Sequence, residues 1–197
     1  MRAFAEDPLL EFEKAFGKAM KEGVKEANAM ALASVDPQGR PSVRIVYYKG
    51  LVRGGLSFFT NYQGKKSLDF EKNSWAAVNF FWPELFEQVR VQGKVDKLER
   101  EESEAYFRTR PRMSQIGAWA SHQSEEIPDH SSLMQRFRDL EKKFDKQDIP
   151  CPPHWGGFRL VPSEIEFWVG REGRLHERYV YERNLPEDVW RSFMRSP

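Results

Sequence analysis

The sequence predicts a mainly β fold, a closed antiparallel barrel with helices as connectors and at its periphery. Three observations lead there. Short β-rich runs recur along the chain and are bounded by Gly, Pro, Asn and Asp. Asp36-Pro37-Gln38-Gly39 has proline and glycine where a hairpin turn wants them, which makes the first two runs antiparallel. The helical patterns are too scattered for the strict strand–helix alternation of a parallel α/β sheet.

Each element has its own signal. Asp7-Pro8 offers a capping carboxylate and a first-turn proline, and Leu9, Phe12, Phe16, Ala19 and Met20 follow at helical spacing until Gly23. Strands are expected at 29–35, 41–48 and, after Gly54-Gly55, 56–60. A short helix at 64–73 precedes strands at 75–82 and 88–98, the former too uniformly apolar to have a wet face. Pro111 stops a preceding helix and holds Arg110 extended, and Ser114 is expected to cap a second short helix through Trp119. Past the polar loop 122–128, Asp129 caps a long helix striped by Leu133, Phe137, Leu140 and Phe144. After a proline-rich loop at 149–154, strands at 157–161, 165–169 and 175–181 complete the set, with Gly170 and Gly173 turning between the last two.

At 197 residues the chain fits a single domain, 1–197, able to bury roughly 70 % of its unfolded surface. A net charge of +1 argues against a nucleic-acid binder that relies on bulk charge. The lone Cys151 excludes an intrachain disulfide, and four dispersed histidines give no metal signature. With no apolar leader before Asp7 and no apolar run of membrane-spanning length, a cytoplasmic protein is expected.

Three constellations carry chemistry. Tyr106 to Trp119 gathers Arg108, Arg110, Arg112, a phenol and two hydroxyls around Pro111, a donor set suited to a phosphate ester. It equally suits a solvated basic turn whose aromatics reach the core. In the second, period two places Arg174, His176 and Arg178 on one strand face, with Trp168 near it; Glu166 and Glu177 are the structural alternative as screening partners. The third joins Arg44 with Gly64-Lys65-Lys66, which opens a helix where amides and dipole favour an anion. Arg44, among apolar neighbours, needs either an external anion or a distant acid. The odd spacing to Lys49 sends the two to opposite faces, unless Lys49 lies past the strand end.

Arg110-Pro111-Arg112, Ser114-Gln115-Ile116-Gly117-Ala118-Trp119, Trp155-Gly156-Gly157, Glu166-Phe167-Trp168 and Arg174-Leu175-His176-Glu177-Arg178, in this order, resemble the pyridoxine (pyridoxamine) 5′-phosphate oxidases. The resemblance implies an FMN-binding split β-barrel that dimerises, with FMN at the subunit interface. It implies oxidation of pyridoxine 5′-phosphate and pyridoxamine 5′-phosphate by oxygen. Carried over by position, Arg44, Lys65, Lys66 and Ser124 would meet the FMN phosphate, and Val46, Tyr47, Thr60, Gln88, Gln123, Trp168 and Arg178 the rest of the flavin. Lys49, Tyr106, Arg110 and Ser114 would hold the substrate phosphate, and Arg174 and His176 would act over its ring as the catalytic pair.

The chain also departs from that pattern. It begins just before the Asp-Pro helix, whereas relatives carry an upstream segment that closes over substrate. Phe59 stands where tyrosine is frequent, Lys65 where arginine is, Glu87 where a basic residue is, and the ending Met194-Arg195-Ser196 differs. A non-catalytic pyridoxal-phosphate or FMN carrier and another flavin reductase are the competing readings.

Overall fold

The computed structural model describes residues 5–197, so of the stretch before Asp7 residues 1–4 lie outside the described ones. Helix α1 (Pro8–Lys21) begins as expected, with Asp7 accepting from the Leu9 amide at 2.8 Å. It is followed by β1 (Ala29–Val35), β2 (Pro41–Tyr47), a two-residue β3 (Leu51–Val52), β4 (Gly55–Asn61), α2 (Lys65–Lys72), β5 (Trp75–Trp82) and β6 (Glu87–Lys97). Three helices, α3 (Arg100–Thr109), α4 (Arg112–Ala120) and α5 (His130–Lys143), separate these from β7 (Trp155–Val169), β8 (Glu177–Glu182) and β9 (Arg191–Met194). Among the described residues no helix is long and apolar enough to cross a membrane.

All pairings are antiparallel, in the order β2-β1-β5-β6-β7-β4-β3, with β8 on β7 and β9 on β8. The path bends back on itself where the Lys49 amide donates to Ser57 O and the Ser57 amide to Gly50 O, both at 2.9 Å. That contact brings the chain leaving β2 onto β4 and makes a barrel, but a split one rather than a simple closed one. The split runs along β7: one edge pairs with β6 over 158–169, while the other serves β4 over 155–160 and β8 over 164–169.

The two strands expected at 157–161 and 165–169 are therefore one. Pro162 does not break it, because its missing amide falls where β7 changes partners and where the β6 register slips between Gln92 and Gly93. The last strand also differs from expectation: it starts at Glu177, after a turn of 3-10 helix at Glu172–Arg174 in which Gly173 and Arg174 have φ of 64° and 61°. Neither β3 nor β9 is expected from the sequence.

Two cores result. Phe12 from α1 plugs the barrel against Met30, Leu32, Phe58, Phe80, Val91, Phe158 and Leu160. A smaller core of Phe107, Ile116, Phe144, Ile149 and Trp155 packs α3, α4 and α5 on the start of β7, and it fixes the Pro111 corner beside the barrel wall.

Candidate functional site

A cavity of about 800 Å³ opens between β2, β4, the start of α2 and the α3–α4 corner. Arg44, Val46, Tyr47, Lys49, Thr60, Lys65, Lys66, Tyr106, Arg110, Ser114, Gln123 and Ser124 all line it. Residues up to 80 positions apart in sequence thus meet in one space.

On the α2 side, Arg44 donates to Ser34 Oγ at 2.8 Å, Ser42 Oγ at 2.7 Å and Leu32 O at 3.2 Å. Ser34 passes the contact on to Asp69 Oδ2 at 2.6 Å, so the distant acid is reached only through a hydroxyl. Burial lowers the Arg44 pKa, and Asp69 partly offsets this. Lys65 turns its amine to Asp69 at 3.1 Å, while its backbone amide donates to Ser124 Oγ at 3.1 Å.

Lys66 is 8 % exposed and donates to Thr60 Oγ1 at 2.9 Å and to Gln123 Oε1. Burial first, and the Arg44 charge second, pull its pKa down to about 8. Gly64 makes room for this arrangement: a Cβ there would lie 2.4 Å from Gln123 Oε1. Three cations and a helix start with one shared carboxylate leave positive charge uncompensated, which suits a phosphate group.

At the corner, Arg110 is extended before Pro111 as expected. Its Nη1 is buried without a hydrogen-bond partner, and burial lowers its pKa. Tyr106 stacks on Phe59 with centroids 3.9 Å apart. Ser114 is not the cap. Helix α4 starts three residues earlier with Pro111 in the cap position, so the Ser114 hydroxyl makes no capping bond and faces the cavity instead. Lys49 lies past the end of β2, which removes the opposite-face argument: it shares the cavity with Arg44, its Nζ 5.7 Å from the Tyr47 ring and 5.9 Å from the Tyr106 ring.

The remaining expected residues gather elsewhere. Gln88, Trp168 and Arg178 form one row across β6, β7 and β8, and His176 lies 4.6 Å from the Trp168 ring, centroid to centroid. None of them, nor Arg174, lines the cavity. The single-face reading of Arg174, His176 and Arg178 fails because the first two precede β8, in and after the turn. Arg178 pairs with Glu166, which is 1 % exposed, through contacts of 3.1 and 2.8 Å, and Arg195 shares that carboxylate at 3.2 Å. Glu177 takes Arg171. The screening acids foreseen in the sequence are thus both engaged. Asp69, Phe59 and Trp155 belong to the site although residue-level reading assigned them no role; the signal for Trp155 was its place directly after the rigid loop 149–154, at the start of β7.

Two family models match the chain: one described as pyridoxamine 5′-phosphate oxidase over residues 16–144, and one described as pyridoxine 5′-phosphate oxidase C-terminal dimerisation region over 155–197. A protein of Bdellovibrio bacteriovorus named pyridoxine/pyridoxamine 5′-phosphate oxidase is 50 % identical, over 97 % of both chains. One of the same name from Rubrobacter xylanophilus is 48 % identical, over 97 % of this chain and 87 % of its own. Among solved structures, PhzG from Burkholderia lata, in complex with tetrahydrophenazine-1-carboxylic acid, superposes with a TM-score of 0.92 at 28 % identity, covering 98 % of this chain and 94 % of its own. A pyridoxamine 5′-phosphate oxidase-related, FMN-binding protein of Nostoc punctiforme shares the fold, with a TM-score of 0.75 at 19 % identity and full coverage of both chains.

Proposed function

Because the chain belongs to the pyridoxamine 5′-phosphate oxidase family, a family of oxidoreductases, we propose that it converts pyridoxine 5′-phosphate and pyridoxamine 5′-phosphate to pyridoxal 5′-phosphate, with FMN as cofactor and oxygen as acceptor. The observation that carries this reading is one cavity with two separate anion-ready groups, Arg44 with Lys66 at the start of α2, and Lys49 with Arg110 at the Pro111 corner. A phosphorylated cofactor beside a phosphorylated substrate needs both.

When bound, FMN would supply the redox chemistry: a two-electron oxidation at C4′ of the substrate, with oxygen reduced to hydrogen peroxide and, for the amine, water hydrolysing the resulting imine to aldehyde and ammonia. The chain's residues bind and orient. Arg44, Lys65, Lys66 and Ser124 hold the cofactor phosphate; Val46, Tyr47, Thr60 and Gln123 line its path along the cavity. Lys49, Tyr106, Arg110 and Ser114 take the substrate phosphate, fixing the distance from that anchor to the reacting carbon. Arg174 and His176 cover the substrate ring, and Gln88, Trp168 and Arg178 complete the cofactor's surroundings.

Those last five residues stand apart from the cavity, so the reading requires a homodimer in which each protomer's β6–β8 end completes its partner's site. The match of 155–197 to a dimerisation region supports this, as do Val43, Ile45 and Tyr47, exposed apolar side chains on one face of β2. The proposal treats 1–197 as one domain acting in the cytoplasm. Oxidation of a carboxylated ring, favoured by the likeness to PhzG, is the second reading; the second anion-ready group, Lys49 with Arg110, argues for the first.

The purified protein should be yellow and consume oxygen with pyridoxine 5′-phosphate in an oxygen-electrode assay. A yellow protein inert to both phosphorylated vitamers would point to a carrier.

A further inference from the structure

A guanidinium with a buried nitrogen ordinarily finds a carboxylate. Half-buried Arg110 does not: among the described residues its side chain makes no ion pair, and Nη1 is buried with its hydrogens unused. What holds it instead is aromatic. Its Cζ lies 4.6 Å from the Trp155 ring centroid and 5.6 Å from that of Phe107. Trp155 is 5 % exposed and is itself immobilised. Its ring stacks on Phe59 at 5.5 Å and 14° and meets Phe107 edge-on at 5.1 Å, and its carbonyl accepts from Arg100 Nη1 at 3.1 Å. Arg100 also grips the carbonyls of Cys151 at 2.6 Å and Pro152 at 3.0 Å, tying the loop before β7 to α3.

The distinction matters chemically. A carboxylate would neutralise the cation and occupy the same N–H donors that a phosphate needs, whereas a ring face attracts the cation and consumes no donor. We propose that Trp155 is a positioning residue that holds Arg110 by its ring face, so that the guanidinium donors stay free for the substrate phosphate. Trp155 thereby sets the preference for phosphorylated over unphosphorylated substrate. The inference rests on the reading of Arg110 as a substrate-phosphate ligand.

The test is a double-mutant cycle on the FMN-loaded enzyme, reading KM and kcat for pyridoxine 5′-phosphate. Trp155→Leu should raise KM roughly tenfold, with most of the loss in KM rather than kcat, and Trp155→Phe roughly threefold. In an Arg110→Ala background either change should alter KM by less than about twofold, because the ring then has no cation to hold. If the Trp155 variants raise KM by the same factor with and without Arg110, the ring is merely structural and the inference falls. If Arg110→Ala alone leaves KM unchanged, it is the substrate reading that fails. Should Trp155→Leu not fold, the Trp155→Phe arm closes the cycle by itself.

Discussion

With Lys66 on the cofactor phosphate, as proposed, the affinity for FMN should depend on pH. In the ligand-free protein its ammonium, buried and beside Arg44, has a pKa of about 8, whereas the FMN phosphate, with its second ionisation near pH 6, stays dianionic above pH 7. A bound dianion holds the proton on Lys66, so the loss of affinity follows the fraction of free protein already deprotonated. That fraction is about one tenth at pH 7 and about nine tenths at pH 9, so the dissociation constant should rise roughly tenfold across the interval. Titration of apoprotein with FMN, followed by quenching of flavin fluorescence, measures it directly. Lys66→Arg, ionised throughout, should give a flat profile.

The stability of the apoprotein should move the other way. The unfolded chain keeps this proton up to about pH 10.5 and the folded chain only to about 8, so the Lys66 contribution to stability rises as pH passes through that window. A wild-type dissociation constant that is level from pH 7 to pH 9, or a Lys66→Arg profile as steep as the wild type's, would refute the reasoning.

Two further outcomes are expected. Gly93→Ala places a Cβ 2.0 Å from the carbonyl oxygen of Val161, backbone that cannot swing away, so urea melting should show a loss of about 2–4 kcal/mol; an unchanged midpoint would mean that the bulge is slack. Ile45→Asp charges a side chain that is 61 % exposed on β2, so it should leave the circular dichroism spectrum intact while sedimentation shifts from dimer to monomer; an intact dimer would place the interface elsewhere.

Much of the barrel was legible because its signals are local. Asp7-Pro8, the 36–39 turn and Gly64-Lys65-Lys66 act within a few residues, and each element formed where it was expected. The break expected between 161 and 165 did not occur because the effect of Pro162 depends on which strand lies beside it, a property of the sheet and not of the tripeptide. Arg174 misled because alternation holds only while φ stays negative, and the turn at Gly173 breaks the count. Ser114 was expected at a cap, yet the helix begins at Arg112 and releases the hydroxyl. The sequence also could not show that the expected site residues fall into two groups, since only the strand order puts Gln88 on β6 and Trp168 on β7, three and four strands across the sheet from Arg44 on β2.

The forked strand β7 has a mechanical meaning. Its first half starts at Trp155 and pairs with β4, and its second half carries Trp168 and Glu166, so a single backbone stiffens both halves of the molecule. Neither half can melt without dragging the other, and amides on both sides of Pro162 should exchange with solvent together, at the rate of whole-chain opening. A pair of protomers joined along such beams would hold two remote pieces of chemistry in fixed alignment without a hinge.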